Sequence, residues 1–155
     1  RRRHTRYWRD WSSDVCSSDL PTTRFLAQDV TLDEPPDGDV CFVRQMLQHL
    51  SNVEILAILP KLGRYRWVFI TEHQPRELGS NAPNIDKVHG ADVRLAFGSG
   101  VFVDRPPFDL PGNSLEVVLE VPGTSLGQGV DPGVIRTVLY TPKRRGSPLD
   151  PIGSG

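Results

Sequence analysis

The sequence has only two cysteines and no long apolar run, and each scarcity excludes a class of protein. Cys16 and Cys41 are too few to build the disulfide framework of a small secreted protein. No stretch approaches the roughly 18 apolar residues that a membrane-spanning helix needs. Cys41 lies inside a short apolar segment, so we expect a buried thiol. The scarcity of cysteine is compatible with a cytoplasmic protein that has no membrane segment.

The first twenty residues differ from the rest of the chain. Residues 1–20, RRRHTRYWRDWSSDVCSSDL, have neither a helical nor a strand period. The string resembles translated read-through of a sequencing adapter, a contaminant of metagenomic assemblies. We therefore exclude it from the fold and expect it to be disordered. The alternative interpretation is a natural basic tail that binds nucleic acid or a membrane.

The remaining residues carry a mild negative charge. Residues 1–20 contain five of the 18 basic and three of the 19 acidic residues, which leaves 13 basic against 16 acidic residues and a net charge of −3. A mildly acidic body argues against a nucleic-acid-binding surface.

An apolar strand that runs into a polar segment organises the chain. Turn-forming residues at 35–38 precede the apolar run Val40–Val43, which we predict to be a strand covered on both faces. Ligands of open α/β sheets lie beyond the carboxyl ends of the strands. We therefore expect ligand-facing side chains directly after this strand, at Arg44, Gln45, Gln48 and His49.

A helix and a second strand follow. Ser51 and Glu54 have the spacing of a capping box, and apolar residues then recur at helical spacing, which predicts a short helix over Asn52–Leu59. Pro60 is expected to weaken its last turn. The next apolar run, Tyr65–Thr71, is a predicted strand parallel to the first. It ends in Glu72, His73 and Gln74, which should share the edge with Arg44 and His49.

The rest of the chain predicts three further strands and a long connection. Arg24–Val30 is typical of a short strand, and Ser114–Val121 and Val134–Tyr140 of an antiparallel pair. Residues 75–112 form a loop-rich connection in which Val93–Phe97 and Val101–Val103 are candidate extended pieces. The polar tail 143–155 is expected to be frayed.

The usual short catalytic motifs are missing. His89 lies near Asp86 and Asp92, but a single histidine among loop carboxylates is usually solvated, and we expect no metal site. The sequence has no HExxH pair, no cysteine pair and no phosphate loop, since no helix start or lysine follows Gly98-Ser99-Gly100.

Residues 21–142 nevertheless resemble the carboxyl-terminal part of a class I S-adenosylmethionine-dependent methyltransferase. Three segments carry the resemblance: Phe25–Asp29, Asp39–Ser51 and Trp67–Glu72, with the run Arg44–Leu50 as the most specific part. The resemblance implies an α/β, Rossmann-like fold in truncated form. Its mixed sheet would have strands in the order 4-5-7-6, with the seventh antiparallel, and a remnant of strand 3.

The resemblance also shows what is missing before Pro21. The glycine-rich turn after strand one, and the acid after strand two that holds the ribose, have no counterpart, as in a gene fragment cut at its 5′ side. Without strands one and two, we expect Phe25–Val30 to be loose or paired non-natively on an exposed edge. For the same reason we expect weak or no cofactor binding by this chain.

The resemblance assigns the cofactor-facing residues. Asp29 would accept a hydrogen bond from the adenine amino group of S-adenosylmethionine, and Val30 would lie beside the ring. Arg44 and Gln45 would line the cofactor. The structural alternatives are a turn residue for Asp29 and an exposed strand end for Arg44.

A general base is needed only if the methyl acceptor is a hydroxyl or ammonium group. By their position at the strand edge, His49, Glu72 and His73 are the candidates, although a histidine placed like His49 is more often a helix-packing or cap residue. Asn81–Phe108 would cap a small-molecule acceptor. Two functions stay open: methyl transfer by the parent enzyme, and a non-catalytic α/β module that binds a partner through the long loop.

Overall fold

The computed structural model describes residues 23–78, 82–124 and 132–143. The predictions for residues 1–20 and for the tail beyond Lys143 therefore lie outside the described residues. No helix in the described ranges is long and apolar enough to cross a membrane.

Four strands form one mixed sheet in the order β1-β2-β4-β3. Their bounds are β1 Val40–Arg44, β2 Trp67–Gln74, β3 Leu115–Pro122 and β4 Val134–Tyr140. Strands β1 and β2 are parallel, and β4 is antiparallel to both β2 and β3. These four strands, their directions and their order agree with the sequence-based prediction. At this level the protein is a small α/β domain.

One α-helix, α1, spans Asn52–Ile58 and connects β1 to β2. The capping box is present, because the Ser51 hydroxyl accepts from the Glu54 backbone N–H and the Glu54 carboxylate accepts from the Ser51 backbone N–H at 2.8 Å. The helix ends one residue before the predicted end and continues as a 3-10 helix over Leu59–Arg64. Pro60 is the second residue of this 3-10 helix. Because proline has no N–H to donate to the preceding turn, the α-helix ends before it.

The core lies on one face of the sheet. Val43, Val68 and Ile70 of the two parallel strands point toward α1 and the 3-10 helix after it. Parts of the long connection complete this layer. The buried cluster consists of Val43, Leu47, Ile55, Ile58, Leu59, Leu62, Tyr65, Val68, Ile70, Val101, Val103 and Phe108.

Within the described residues the opposite face of the sheet is open, so for them the prediction that the first strand is covered on both faces is wrong. Phe42 is 74 % exposed and stacks on Phe69, with ring centroids 5.0 Å apart. In β2 the alternate residues Phe69 and Thr71 are only half-buried, whereas Val68 and Ile70 are buried. The reason is that α1 and the long connection both pack on the other face, and the described residues place nothing over Phe42.

Three predicted extended segments are not strands. Arg24–Val30 is largely exposed and has no sheet partner among the described residues, which agrees with the loose alternative for Phe25–Val30. Arg94–Phe97 forms a 3-10 helix that ends at Gly98, with a φ of 67°. Val101–Val103 contributes to the core without sheet pairing. Of the three, only Val101–Val103 is buried throughout, and none has a strand beside it among the described residues.

The end of the sheet is closed by a tight approach between β2 and the turn before β4. Gly123 donates a backbone hydrogen bond to the Gly133 carbonyl at 3.0 Å. A Cβ at Gly133 would overlap the Gln74 carbonyl, and its φ of 62° also favours glycine. A Cβ at Gly123 would overlap the His73 ring.

Candidate functional site

The chain turns sharply where β1 ends. The backbone N–H of Gln45 donates to the Thr71 carbonyl at 2.7 Å, and Gln45 has a φ of 49°, in the left-handed region that is uncommon for residues other than glycine. A single 3-10 turn, Leu47–His49, follows directly. Leu47 is fully buried in the core and anchors this turn. His49 is thereby held just past the carboxyl end of β1.

Glu72 supports this turn from the neighbouring strand. Its two carboxylate oxygens accept from the backbone N–H groups of Leu47 at 2.9 Å and Gln48 at 3.2 Å. The side chain is 2 % exposed, and burial raises its pKa to about 8, against the opposing effect of the backbone N–H donors and of the more distant Arg94. Glu72 is therefore a bracing group whose oxygens are already occupied by backbone donors.

His49 is fixed from the other side by the long connection. Its Nδ1 lies 3.2 Å from the Gly90 carbonyl oxygen, and its own carbonyl accepts from the Gly90 N–H at 2.9 Å. A carbonyl oxygen only accepts, so Nδ1 carries the proton in this hydrogen bond. In the neutral ring Nε2 is then the acceptor nitrogen. Its hydrogen-bond partner is the side-chain amide nitrogen of Gln48, a donor that lies 3.5 Å away.

Two polar residues of the long connection organise it, and sequence reasoning did not identify either role. The Asn84 side chain accepts from the Phe102 N–H at 2.7 Å and donates to the carbonyls of Phe102, Arg105 and Pro106. Arg94 is 1 % exposed and donates to the carbonyl of Leu50, just before α1, and to that of Ile85 in the long connection. Asparagine and arginine in a loop ordinarily indicate solvent exposure, so no sequence signal distinguished them.

His73 does not join His49 and Glu72. Successive side chains of a strand point to opposite faces, and His73 lies in register with Ile135 on the face opposite Glu72. Its Nε2 donates to the Pro132 carbonyl at 2.7 Å. The structure therefore brings two of the three candidate bases together and gives the third a place in the closure of the sheet.

Asp29 and Val30 are held by a different part of the fold. Oδ1 of Asp29 accepts from the hydroxyl of Thr31 at 2.6 Å and from its N–H at 2.9 Å, and these bonds lower the pKa of Asp29. The Val30 carbonyl accepts from Lys61 Nζ at 3.0 Å. Lys61 belongs to the 3-10 helix that leads into β2.

Arg44 and Gln45, in contrast, follow the core of β1. Arg44 is exposed and lies in register with Thr71 on the open face. Neither residue shares a hydrogen bond with Asp29 or Val30 in the described structure. In the proposed site these four residues would contact only part of S-adenosylmethionine, since the glycine-rich turn that the resemblance implies has no counterpart in the sequence.

A cavity of about 220 Å³ lies between the sheet and the long connection. Its walls combine apolar side chains, such as Ile70 and Val103, with the buried polar side chains of Glu72 and Gln74. Arg136 also lines the cavity. Its guanidinium forms an ion pair with the Glu120 carboxylate at 2.7 Å and donates to the Gln74 amide oxygen at 2.9 Å.

Metal ligands are not gathered anywhere in the described ranges. No group of three or more histidine, cysteine, aspartate or glutamate side chains is placed to hold an ion there. His89 instead forms a hydrogen bond with Glu54, from Nδ1 to Oε1 at 3.0 Å. Hydrogen bonds from Ser51 and His89 lower the pKa of Glu54 to about 2.

Comparisons with known proteins add no relative to these observations. The chain matches no protein-family model, no curated protein and no solved structure.

Proposed function

We propose that the chain is part of a class I S-adenosylmethionine-dependent methyltransferase that methylates a small-molecule acceptor, with His49 as the general base. The observation that carries this proposal is the sheet order β1-β2-β4-β3, with β1 and β2 parallel and β4 antiparallel. It is the order that the resemblance implies for the last four strands of that fold. Fold alone supports many functions, so the proposal also depends on the residues at the strand edge.

His49 has the geometry of a general base. With Nδ1 donating to the Gly90 carbonyl, Nε2 is the acceptor nitrogen, and a hydroxyl or ammonium group of the methyl acceptor would replace its long contact with the Gln48 amide at 3.5 Å. Glu72 keeps the preceding residues Leu47 and Gln48 in place through two backbone hydrogen bonds. S-adenosylmethionine, when bound, would supply the activated methyl group. The residues of this chain would thus orient the methyl acceptor and take its proton.

The direct test is methyl transfer by the product of the gene recovered together with its sequence upstream of Pro21. Radiolabelled S-adenosylmethionine is the donor, and small phenols, alcohols and amines are the acceptors. His49→Gln should lower kcat about 100-fold or more with a hydroxyl acceptor, since a positioned base contributes on the order of 10²–10⁴. Glu120→Gln, at the half-exposed ion pair with Arg136 in the sheet, is the control and should change kcat little. Unchanged kcat in His49→Gln would reject His49 as the base.

The 155-residue chain itself offers a second test. Calorimetric titration with S-adenosylmethionine should give weak or no binding, because the glycine-rich turn that the resemblance expects around the cofactor has no counterpart in the sequence. Binding in the micromolar range would contradict this expectation.

A non-catalytic, partner-binding module is the second candidate, and the open sheet face favours it. Phe42 is largely exposed beside Phe69, and β3 is an edge strand with four exposed apolar side chains. The upstream DNA separates the two functions. A strand followed by a glycine-rich turn, and a later strand that ends in an acid, would support the enzyme. An in-frame start near Pro21 would support the module.

A further inference from the structure

Residues 84–94 form a strap that is tied to His49 and to the first turn of α1. Gly90 exchanges two hydrogen bonds with His49, one to its carbonyl at 2.9 Å and one from its Nδ1 at 3.2 Å. Lys87 Nζ donates to the same His49 carbonyl at 3.2 Å. The strap therefore holds both the backbone and the ring of His49.

Arg94 fastens this strap at its far end. Its guanidinium donates from Nη2 to the Leu50 carbonyl at 2.5 Å, and from Nη1 to the Ile85 carbonyl at 2.5 Å and the Asn52 amide oxygen at 3.0 Å. Leu50 directly follows His49, and Ile85 belongs to the strap. One planar group thus joins the two segments whose separation sets the distance between His49 and Gly90.

A second set of bonds makes the same connection beside Arg94. The Asn52 N–H donates to Asp86 Oδ1 at 2.7 Å, and the Asn52 amide donates to the Asn84 carbonyl at 2.9 Å. Among the described residues, Arg94 has no carboxylate within ion-pair distance, although Asp86 and Glu72 act on it from further away. A buried guanidinium bonded mainly to carbonyls costs desolvation free energy, so its place is better explained by the geometry it imposes than by ion pairing.

We propose that Arg94 is a positioning residue that, through the 84–94 strap, holds His49 with its proton on Nδ1 and its lone pair on Nε2. The proposal rests on the proposed function of His49 as a base. Without the strap the ring would lose its carbonyl acceptor, and the proton would be free to occupy Nε2. A base whose lone pair is on the wrong nitrogen cannot take a proton at the acceptor.

The test is ¹⁵N NMR of the neutral His49 ring in the 155-residue chain. The wild-type chain should show a pyrrole-type Nδ1 and a pyridine-type Nε2. Arg94→Met, which keeps the length of the side chain but none of its donors, should move both resonances toward the Nε2–H form. Arg94→Lys should give an intermediate result, since an ammonium can still reach a carbonyl. A wild-type ring with its proton on Nε2 would overturn the proposal.

Arg136→Met is the matched control. Arg136 also makes three hydrogen bonds or ion-pair contacts, to Glu120 and Gln74, but on the sheet side of the molecule. It should lower stability and leave the His49 resonances unchanged. An equal change of tautomer in both arginine variants would show general loosening and overturn the proposal.

Asn52→Ala provides a milder variant if Arg94→Met does not fold. It removes one acceptor of Arg94 and the bond to the Asn84 carbonyl, and should shift the His49 tautomer in the same direction by a smaller amount. If the His49 tautomer is unchanged in both Asn52→Ala and Arg94→Lys, and both variants fold, the positioning role of Arg94 is rejected. None of these readouts needs methyl transfer. A negative methyltransferase assay is therefore distinguishable from a negative result for the positioning role of Arg94.

Discussion

The Glu72 carboxylate accepts a hydrogen bond from the backbone N–H of Leu47 at 2.9 Å, which joins the end of β2 to the turn after β1. The second oxygen accepts from the next N–H, that of Gln48. Because both donors are backbone groups, the bond sets the path of the chain into His49 regardless of the side chains there. Two candidate residues that are far apart in sequence are thereby joined through one short turn.

Replacing Glu72 should destabilise the fold strongly. Glu72→Ala leaves two buried N–H groups without acceptors, at roughly 1–3 kcal/mol each, so the free energy of unfolding should fall by about 2–5 kcal/mol. Glu72→Gln keeps one acceptor oxygen and should cost less. Urea unfolding measures both. Glu120→Gln, which weakens a half-exposed ion pair with Arg136, is the control and should cost about 1 kcal/mol or less. Equal losses at Glu72 and Glu120 would contradict the bracing role.

Stability should also depend on pH through Glu72. Its pKa is about 8 in the folded chain and 4.5 ordinarily, so the folded state keeps a proton that the unfolded state has lost between these values. Binding more protons when folded means that the free energy of unfolding decreases as pH rises from about 4.5 to about 8, then levels off. Glu72→Gln should remove this slope. Urea midpoints across that range measure it, and an unchanged slope in the variant would assign it to other groups.

Asn84 should determine the order of the long connection. Asn84→Ala removes the amide that pairs with backbone groups of three residues, and places alanine at a φ of 55°. We expect a loss of about 2–4 kcal/mol and faster proteolysis within residues 82–108. Asn84→Gly relieves the backbone strain but not the lost bonds, so it should be milder by about 1 kcal/mol. Asn113→Ala, in an exposed 3-10 turn, is the control and should resemble the parent chain.

The two faces of the sheet should respond differently to truncation. Ile70→Ala removes a side chain that is 2 % exposed and should cost about 2–5 kcal/mol. Phe42→Thr loses only the contact with Phe69 on the open face, so it should cost about 1 kcal/mol or less and reduce self-association at high protein concentration. Chemical unfolding and light scattering measure the two effects. A large loss of stability in Phe42→Thr would mean that the open face contributes to the core.

Much of the sheet was predictable because its signals are local. The apolar runs of β1, β2 and β4 and the capping box of Ser51 and Glu54 lie in adjacent residues, where sequence pattern reports structure directly. The predicted strand at Arg24–Val30 failed for the opposite reason. A strand needs a neighbour to pair with, and its own sequence does not say whether one is present.

The candidate site was predictable only in part. The positions of His49 and Glu72 after adjacent parallel strands indicated that they would share an edge, and their segments do meet. His73 was grouped with them by sequence position, although strand alternation sends it to the other face. The contact between Arg94 and Leu50 could not be predicted, because the two residues are 44 positions apart in the sequence and meet only in the folded chain.

The sequence by itself determined the four strands, the start of α1 and, through the family resemblance, the order of the sheet. Tertiary structure alone decided which face of β1 is covered, which proton position His49 adopts and what Glu72 holds. The physical reason is that propensity and capping act between neighbours along the chain. Burial, tautomer and pairing of buried polar groups depend instead on segments that meet only after folding.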